Sequence, residues 1–232
     1  MADPSELGHV LPKVQALVND SDFQGRIKNN DKHMAEVKAV GLATALKENL
    51  GKRYIHASLD QYRIYHRNQE QVVEMCRDIA DSIDKFVADG RNIILYGSVG
   101  TGKDHLVAAL LLIAARAGFQ CKWLNGIQLY GSLRDRMNES RSEQAMIRDL
   151  LAPSVLAISD PLPPVGELSA WRIEFMYRLI NERYVSMKST WLTINATSPV
   201  DAEEKLSTPV WDRLQEMGEI VPCFWPSFRE RK

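Results

Sequence analysis

The chain is poor in cysteine. Cys76, Cys121 and Cys223 lie far apart and form no C-x-x-C pair, which excludes a disulfide framework and a zinc knuckle and predicts buried thiols in a reducing compartment. It also lacks a long apolar run. No stretch reaches the roughly 18 residues that a bilayer-spanning helix needs, and "MADPSELGHV" has neither the basic start nor the apolar stretch of a signal peptide. A cytoplasmic protein with no membrane association is expected. Net charge is missing as well. Lys and Arg total 29 against 30 Asp and Glu, a formal −1, so no global positive field draws the chain to nucleic acid, and any such binding has to come from a local patch. There is no internal repeat and no low-complexity tract. What is present, 232 residues of which 45% are hydrophobic, is enough to bury a core without staples.

Apolar patterning divides the chain. Residues 1 to about 52 are polar, with one helical stretch, "KHMAEVKAVGLATALKENLG", in which Met34, Val37, Leu42, Ala45 and Leu46 recur at roughly helical spacing. That stretch reads either as an arm that docks a partner or as an arm packed on its own domain. The spacing next predicts a helix from about Gln69 to Asp89, closed by Gly90, and then the doubly apolar strand "NIILYG". The helix from about Gly102 to Ala117 is apolar nearly throughout, which places it against a sheet. Further strands are predicted at "FQCKWLN", "SVLAISD", "TWLTINA" and "EIVPCFW", with helical stretches between them and a loop-rich insertion, "PLPPVGE", at 161–167. Strands alternating with helices imply an α/β protein whose parallel sheet is covered on both faces.

The stretch "GSVGTGKDHL", Gly97 to Leu106, follows the first strand. A strand, G-x-x-x-x-G-K and a helix together make a phosphate-binding loop. Glycines let successive N–H groups turn toward phosphate oxygens, the helix N-terminus adds partial positive charge, and Lys103 reaches the β and γ phosphates. The candidate nucleotide-binding residues are Gly97, Ser98, Val99, Gly100, Thr101, Gly102, Lys103, Asp104 and His105, with ATP and Mg²⁺ as the expected ligands. Asp104 stands where such loops carry Ser or Thr. A carboxylate is a good hard-oxygen ligand for Mg²⁺, but its charge beside a triphosphate is unfavourable without the metal. Nucleotide binding that depends steeply on Mg²⁺ is therefore expected. The alternative role for Asp104 is an acid in a helix's first turn, favoured by the helix dipole.

"VLAISD" supplies Asp160 at the tip of an apolar strand, as a Walker B acid that orients Mg²⁺ through water. Asp104 and Asp160 are thus the candidate metal-facing pair. The next residue is Pro161, where ATPases of this general kind place a second acid to polarise the attacking water, and proline cannot act as a base. Asn195, at the end of "TWLTINA", is positioned to hold that water or the γ-phosphate, or else it caps a turn. Arg213 in "TPVWDRLQEM" reads as an arginine finger for a neighbouring subunit's nucleotide, or as one side of a surface salt bridge with Asp212 or Glu216. Asp160, Asn195 and Arg213 are the candidate catalytic residues.

From about Arg53 onward the chain resembles the DnaC/IstB group of AAA+ ATPases, which are bacterial replicative-helicase loaders and helper ATPases of insertion sequences. The resemblance rests on "RYIHASLDQY", "LYGSVGTGKDHLVAAL", "VLAISDP", "WRIEFMYRLINERY", "TWLTINAT", "TPVWDRL" and "SFRERK". It implies a P-loop NTPase of the AAA+/ASCE type: a parallel five-stranded sheet with helices on both faces, no C-terminal helical lid and a small helical N-terminal arm. Residues 1–52 would be the arm and 53–232 the ATPase domain. The resemblance further implies that Asn195 is sensor 1, that Arg213 acts in trans and that Arg183 faces a neighbour's nucleotide. The partners it implies are a replicative helicase or a transposase, single-stranded DNA held weakly, and further copies of the chain in an ATP-dependent assembly. The N-terminal segment has no cysteine cluster, so it is not a zinc-binding docking domain.

Arg134, Arg136, Arg141 and Arg148 fall in one helical region, with Asp135, Glu139, Glu143 and Asp149 among them. They read either as a patch for DNA phosphates or as a solvated mixed-charge face. The leading function is a helicase-loader-like factor in DNA replication with weak ATPase activity, or an insertion-sequence transposition helper. Pro161 and Asp104 favour instead a nucleotide-binding scaffold that does not hydrolyse. A small-molecule kinase is a third class, but nothing after the phosphate loop reads as an acceptor-binding lid.

Overall fold

Five short apolar runs form the strands of one sheet: β1 (Asn92–Gly97), β2 (Cys121–Asn125), β3 (Val155–Ser159), β4 (Ser189–Ile194) and β5 (Gly218–Cys223). In the computed structural model, which describes residues 21–138, 143–162 and 168–230, their order is β2-β3-β4-β1-β5. Every neighbouring pair is parallel. All five C-terminal tips therefore share one edge of the sheet, where the loops that follow them converge.

Successive strand residues point to opposite faces. Ile93, Leu95, Val155, Ala157, Trp191 and Val221 join one core, while Ile94, Tyr96, Leu156, Ile158, Leu192 and Ile194 join the other. The first core is covered by α1 (Ser21–Leu50), α2 (Arg67–Asp81), α3 (Ile83–Ala88) and α4 (Lys103–Arg116). The second is covered by α5 (Gly126–Asn138), α6 (Glu143–Leu151), α7 (Ala170–Val185), α8 (Pro199–Leu206) and α9 (Thr208–Glu216). Burial on both faces is why the inner strands β1, β3 and β4 read as largely apolar runs rather than alternating ones.

Every residue of α4 from Leu106 to Leu112 is buried, because the sheet lies on one side and α1 and α2 on the other. A helix in that position has to be apolar all round, and each fully buried leucine contributes roughly 1.5–3 kcal/mol. The C-terminal part of α1 rests on α4 and β2 through Ala43, Leu46 and Leu50. The apolar stripe expected from the sequence is shifted in register. Leu46 is buried, but Met34 and Val37 are 58% and 53% exposed, and Ala45 faces solvent as well.

The single helix expected from about Gln69 to Asp89 is two helices. At Ser82 the backbone leaves helical geometry (φ −113°, ψ 23°), and its hydroxyl donates to Asp78 O at 2.8 Å, the side-chain competition with the helical ladder that bends helices. The thiols of Cys76 and Cys223 are buried and that of Cys121 nearly so, and burial pushes all three up to about 12. Among the described residues no helix is long and apolar enough to cross a membrane. Arg141, Glu139 and residues 163–167 of the "PLPPVGE" insertion lie outside the described residues.

Candidate nucleotide-binding cleft

The tips of β1, β3 and β4, the lead-in before α2 and the segment after β5 surround a cavity of about 290 Å³. Lys103, the first residue of α4, is only 6% exposed. Its ammonium donates to Gly97 O at 3.1 Å, to Ser98 O at 2.7 Å and to Asn195 Oδ1 at 3.0 Å. Asn195 in turn donates from Nδ2 to Asp160 Oδ1 at 2.8 Å. Three residues distant in sequence thus form one hydrogen-bonded chain across three adjacent strand tips. Burial draws the Lys103 ammonium below its ordinary pKa, and the Asp160 and Asp104 charges oppose that shift. Burial and the neighbouring Asp104 charge hold the Asp160 carboxyl above the usual carboxylate range. Asp160 has φ +45°, a left-handed conformation that aspartate tolerates better than most residues. Pro161 behind it is buried and supplies no carboxylate.

Asp104 is held by three hydroxyls. Ser159 Oγ and Thr193 Oγ1 donate to its Oδ1 at 2.9 and 2.7 Å, and Tyr54 OH donates to Oδ2 at 3.3 Å. Ser159 and Thr193 are register partners on β3 and β4, so their hydroxyls meet the carboxylate together. Charge-assisted bonds of this kind are stronger than neutral ones. Asp104 therefore ties the start of α4 to two strand tips and to the lead-in, while unused lone pairs remain for a cation. Burial and the Asp104 charge raise the Tyr54 phenol. The neighbouring His105 donates from Nε2 to Ser58 O at 2.8 Å, fixing a second point of the lead-in against α4.

Val99, Gly100, Thr101, Gly102, Lys103, Asp104, His105, Asp160 and Asn195 all line the one cavity, and Gly97 and Ser98 reach it through the carbonyls that hold Lys103. Arg53, Tyr54, Tyr62, Phe228 and Arg229 line it too. Individual residue types gave no signal for these five, and only the motifs "RYIHASLDQY" and "SFRERK" pointed to their segments. Arg213 is elsewhere, on α9. It donates to Asn181 Oδ1 at 2.9 Å and Pro209 O at 2.8 Å, and stacks over the Tyr177 ring at 5.0 Å. Among the described ion pairs none joins it to Asp212 or Glu216.

Arg183 corrects an expectation. Instead of facing a neighbour it is fully buried and donates to Thr190 Oγ1 and to the carbonyls of Leu150, Pro153, Ser154 and Ser189. Its guanidinium is consumed in joining the α6–β3 turn to the start of β4. Arg134 and Arg148 are exposed on α5 and α6 with Asp135 and Asp149 exposed beside them, so charges of both signs share that face.

A profile of IstB-like ATP-binding proteins matches residues 49–232. The chain belongs to the IstB-like ATP-binding protein family. An insertion-sequence ATP-binding protein of Mycobacterium tuberculosis is 30% identical over 167 residues, covering 68% of this chain and 62% of that protein. This chain thus matches less than two thirds of that relative's length. The replicative helicase loader DnaC of Buchnera aphidicola is 23% identical over 224 residues, 91% of this chain and 87% of the loader. A crystal structure of the DnaC helicase loader superposes with a TM-score of 0.66 at 26% identity, over 75% of this chain and 99% of that one. The fold is the AAA+ P-loop domain of these proteins.

The IstB-like cleft has donors suited to ATP and Mg²⁺. Lys103 and Arg229 bring positive charge to the mouth of the phosphate loop. Asp104 and Asp160 would hold the cation, whose charge would offset the burial and the Asp104 repulsion that raise the Asp160 carboxyl. Among the described residues there is no cluster of three His, Cys, Asp or Glu. Two carboxylates with hydroxyl neighbours suit Mg²⁺, which completes its shell with phosphate oxygens and water, better than a softer metal.

Proposed function

We propose that the chain binds ATP with Mg²⁺ in this cleft, hydrolyses it slowly, and acts in DNA replication as a helicase-loader-like factor that assembles with ATP on single-stranded DNA or on a helicase. The observation that carries this reading is the Lys103–Asn195–Asp160 chain of hydrogen bonds across β1, β4 and β3. Lys103 would take the β and γ phosphates in place of its loop carbonyls, and the loop amides would cradle them. Asp160 and Asp104 would hold Mg²⁺, which neutralises charge on the triphosphate when bound. Asn195 would position the attacking water. Among the described residues the carboxylates lining the cavity are Asp104 and Asp160, and position 161 is proline, so turnover without a second acid to polarise that water would be slow. Arg213, braced outside the cavity by Asn181 and Tyr177, would reach a neighbouring copy's γ-phosphate.

The insertion-sequence relative favours a second reading, a transposition helper ATPase with the same nucleotide chemistry. Calorimetry, phosphate release and light scattering with ATP, ADP and single-stranded DNA test the proposal. Mg²⁺-dependent binding, slow phosphate release lost in Asp160→Ala, and larger species with ATP are expected. A strict monomer under all conditions would sink the assembly. Binding without release above background would leave a scaffold. Copurification with a replicative helicase or with a transposase separates the two settings.

A further inference from the structure

The backbone of the phosphate loop is tied down by residues far away in sequence. Thr101 is fully buried, and its carbonyl accepts two side-chain hydrogen bonds, from Tyr62 OH at 2.6 Å and from Trp225 Nε1 at 2.9 Å. One residue earlier, Gly100 O accepts from the Phe228 amide at 2.9 Å. Tyr62 belongs to the lead-in before α2, whereas Trp225 and Phe228 follow β5. Both Tyr62 and Trp225 are buried, and burial raises the Tyr62 phenol, which keeps it a donor. The approach leaves no spare room. Gly100 has φ +81° and a Cβ there would lie 2.0 Å from Ser227 Oγ, while at Gly102, φ +86°, it would lie 2.7 Å from the Tyr62 ring.

A trans peptide is planar, so its C=O and the following N–H point in opposite directions. Holding Thr101 O fixes the direction of the Gly102 N–H, and holding Gly100 O fixes that of the Thr101 N–H. Gly100, Thr101 and Gly102 line the cavity, as do Tyr62 and Phe228 themselves, so the orientation these bonds fix is that of amides bordering the nucleotide cleft. A carbonyl has two lone pairs, so the phenol and the indole bind Thr101 O together. A glycine-rich loop without such ties would have to lose its backbone freedom when a phosphate arrives.

We propose that Tyr62 and Trp225 are positioning residues, whose two donors on Thr101 O hold the loop amides in the phosphate-binding orientation. Part of the affinity for the triphosphate is then set by an indole more than a hundred residues downstream of the loop. The inference rests on the nucleotide-binding reading above.

Tyr62→Phe and Trp225→Phe each remove one donor and keep a ring. The test measures the Kd for ATP with Mg²⁺ by calorimetry on the full chain, the thermal midpoint without nucleotide, and the Gly102 amide resonance of ¹⁵N-glycine-labelled protein during ATP titration. Each single variant should weaken ATP about threefold to tenfold, the double variant more, with a smaller displacement of the Gly102 amide than in the wild type. If the wild type does not bind ATP, this inference falls together with the reading it rests on. If the wild type binds, Lys103→Ala does not, and both aromatic variants bind like the wild type, this inference alone is overturned. Weaker binding with an unchanged Gly102 response also overturns it, because that outcome marks a general structural role. Should the double variant not fold, the single variants decide by the same comparison.

Discussion

Two cations are buried at opposite ends of the sheet, and their surroundings differ in kind. Arg183 sits at the start of β3 and β4 with five donated bonds, four to backbone carbonyls and one to a hydroxyl. Burial lowers its pKa to about 9, so it remains charged at neutral pH. Lys103 sits at the tips of β1 and β4 with three bonds, faces a cavity, and feels the Asp160 and Asp104 charges. The shell of Arg183 is closed and spent on the fold. That of Lys103 borders open space and consists of oxygens that a phosphate can replace. A buried cation is thus a functional signal only when its partners are exchangeable.

The sharpest way to break this comparison is to remove each cation. Lys103→Met is expected to weaken ATP binding by at least about 100-fold, the loss of a charge-assisted contact in a desolvated site, with a nearly unchanged thermal midpoint. Arg183→Met should do the reverse. It strands four carbonyls and a hydroxyl in the interior at a cost of about 3–5 kcal/mol, lowering the midpoint by about 10 °C, while the folded fraction still binds ATP with wild-type affinity. Equal behaviour of the two variants in either assay would abolish the distinction.

Arg213 sharpens it from outside the cleft. Arg213→Ala should leave ATP affinity and the midpoint close to wild type and reduce phosphate release at assembling concentrations at least about tenfold. A loss that persists at dilutions where the chain is monomeric would contradict a role in trans.

The smallest expected effect concerns Asp160. A carboxyl whose folded pKa is raised contributes stability below its unfolded pKa and loses that contribution as pH rises through the folded value. Asp160→Asn should therefore raise the midpoint measured without nucleotide slightly at pH 8, by an amount that solvent screening of the exposed Asp160 keeps small, a gain that shrinks as pH falls into the carboxylate range. A difference independent of pH would show that the raised carboxyl is not its source.

Sequence reasoning recovered what is local. The strand–loop–helix around Lys103, the five apolar strands, and Asp160 and Asn195 at strand tips all follow from periodicity and short motifs. Asp104 was identified as unusual, but its three hydroxyl partners were invisible because Tyr54, Ser159 and Thr193 meet only after β3 and β4 pair. The fate of Arg183 was misread for a related reason. One arginine on a helix looks the same in sequence whether it points to solvent or into a turn two elements away. The break at Ser82 escaped because a single serine costs a helical pattern little, and its bond to Asp78 is a choice the fold makes.

The cleft takes side chains from Arg53 near one end of the described chain and from Arg229 near the other, with Lys103, Asp160 and Asn195 between. No segment shorter than residues 53–229 contains it. Any nucleotide bound there is therefore linked to the folding equilibrium of nearly the full length, and at 100 times its Kd such a ligand adds about 2.7 kcal/mol to the folded state. Resistance to proteolysis would then rise with nucleotide concentration, because the ligand lowers the population of opened chains.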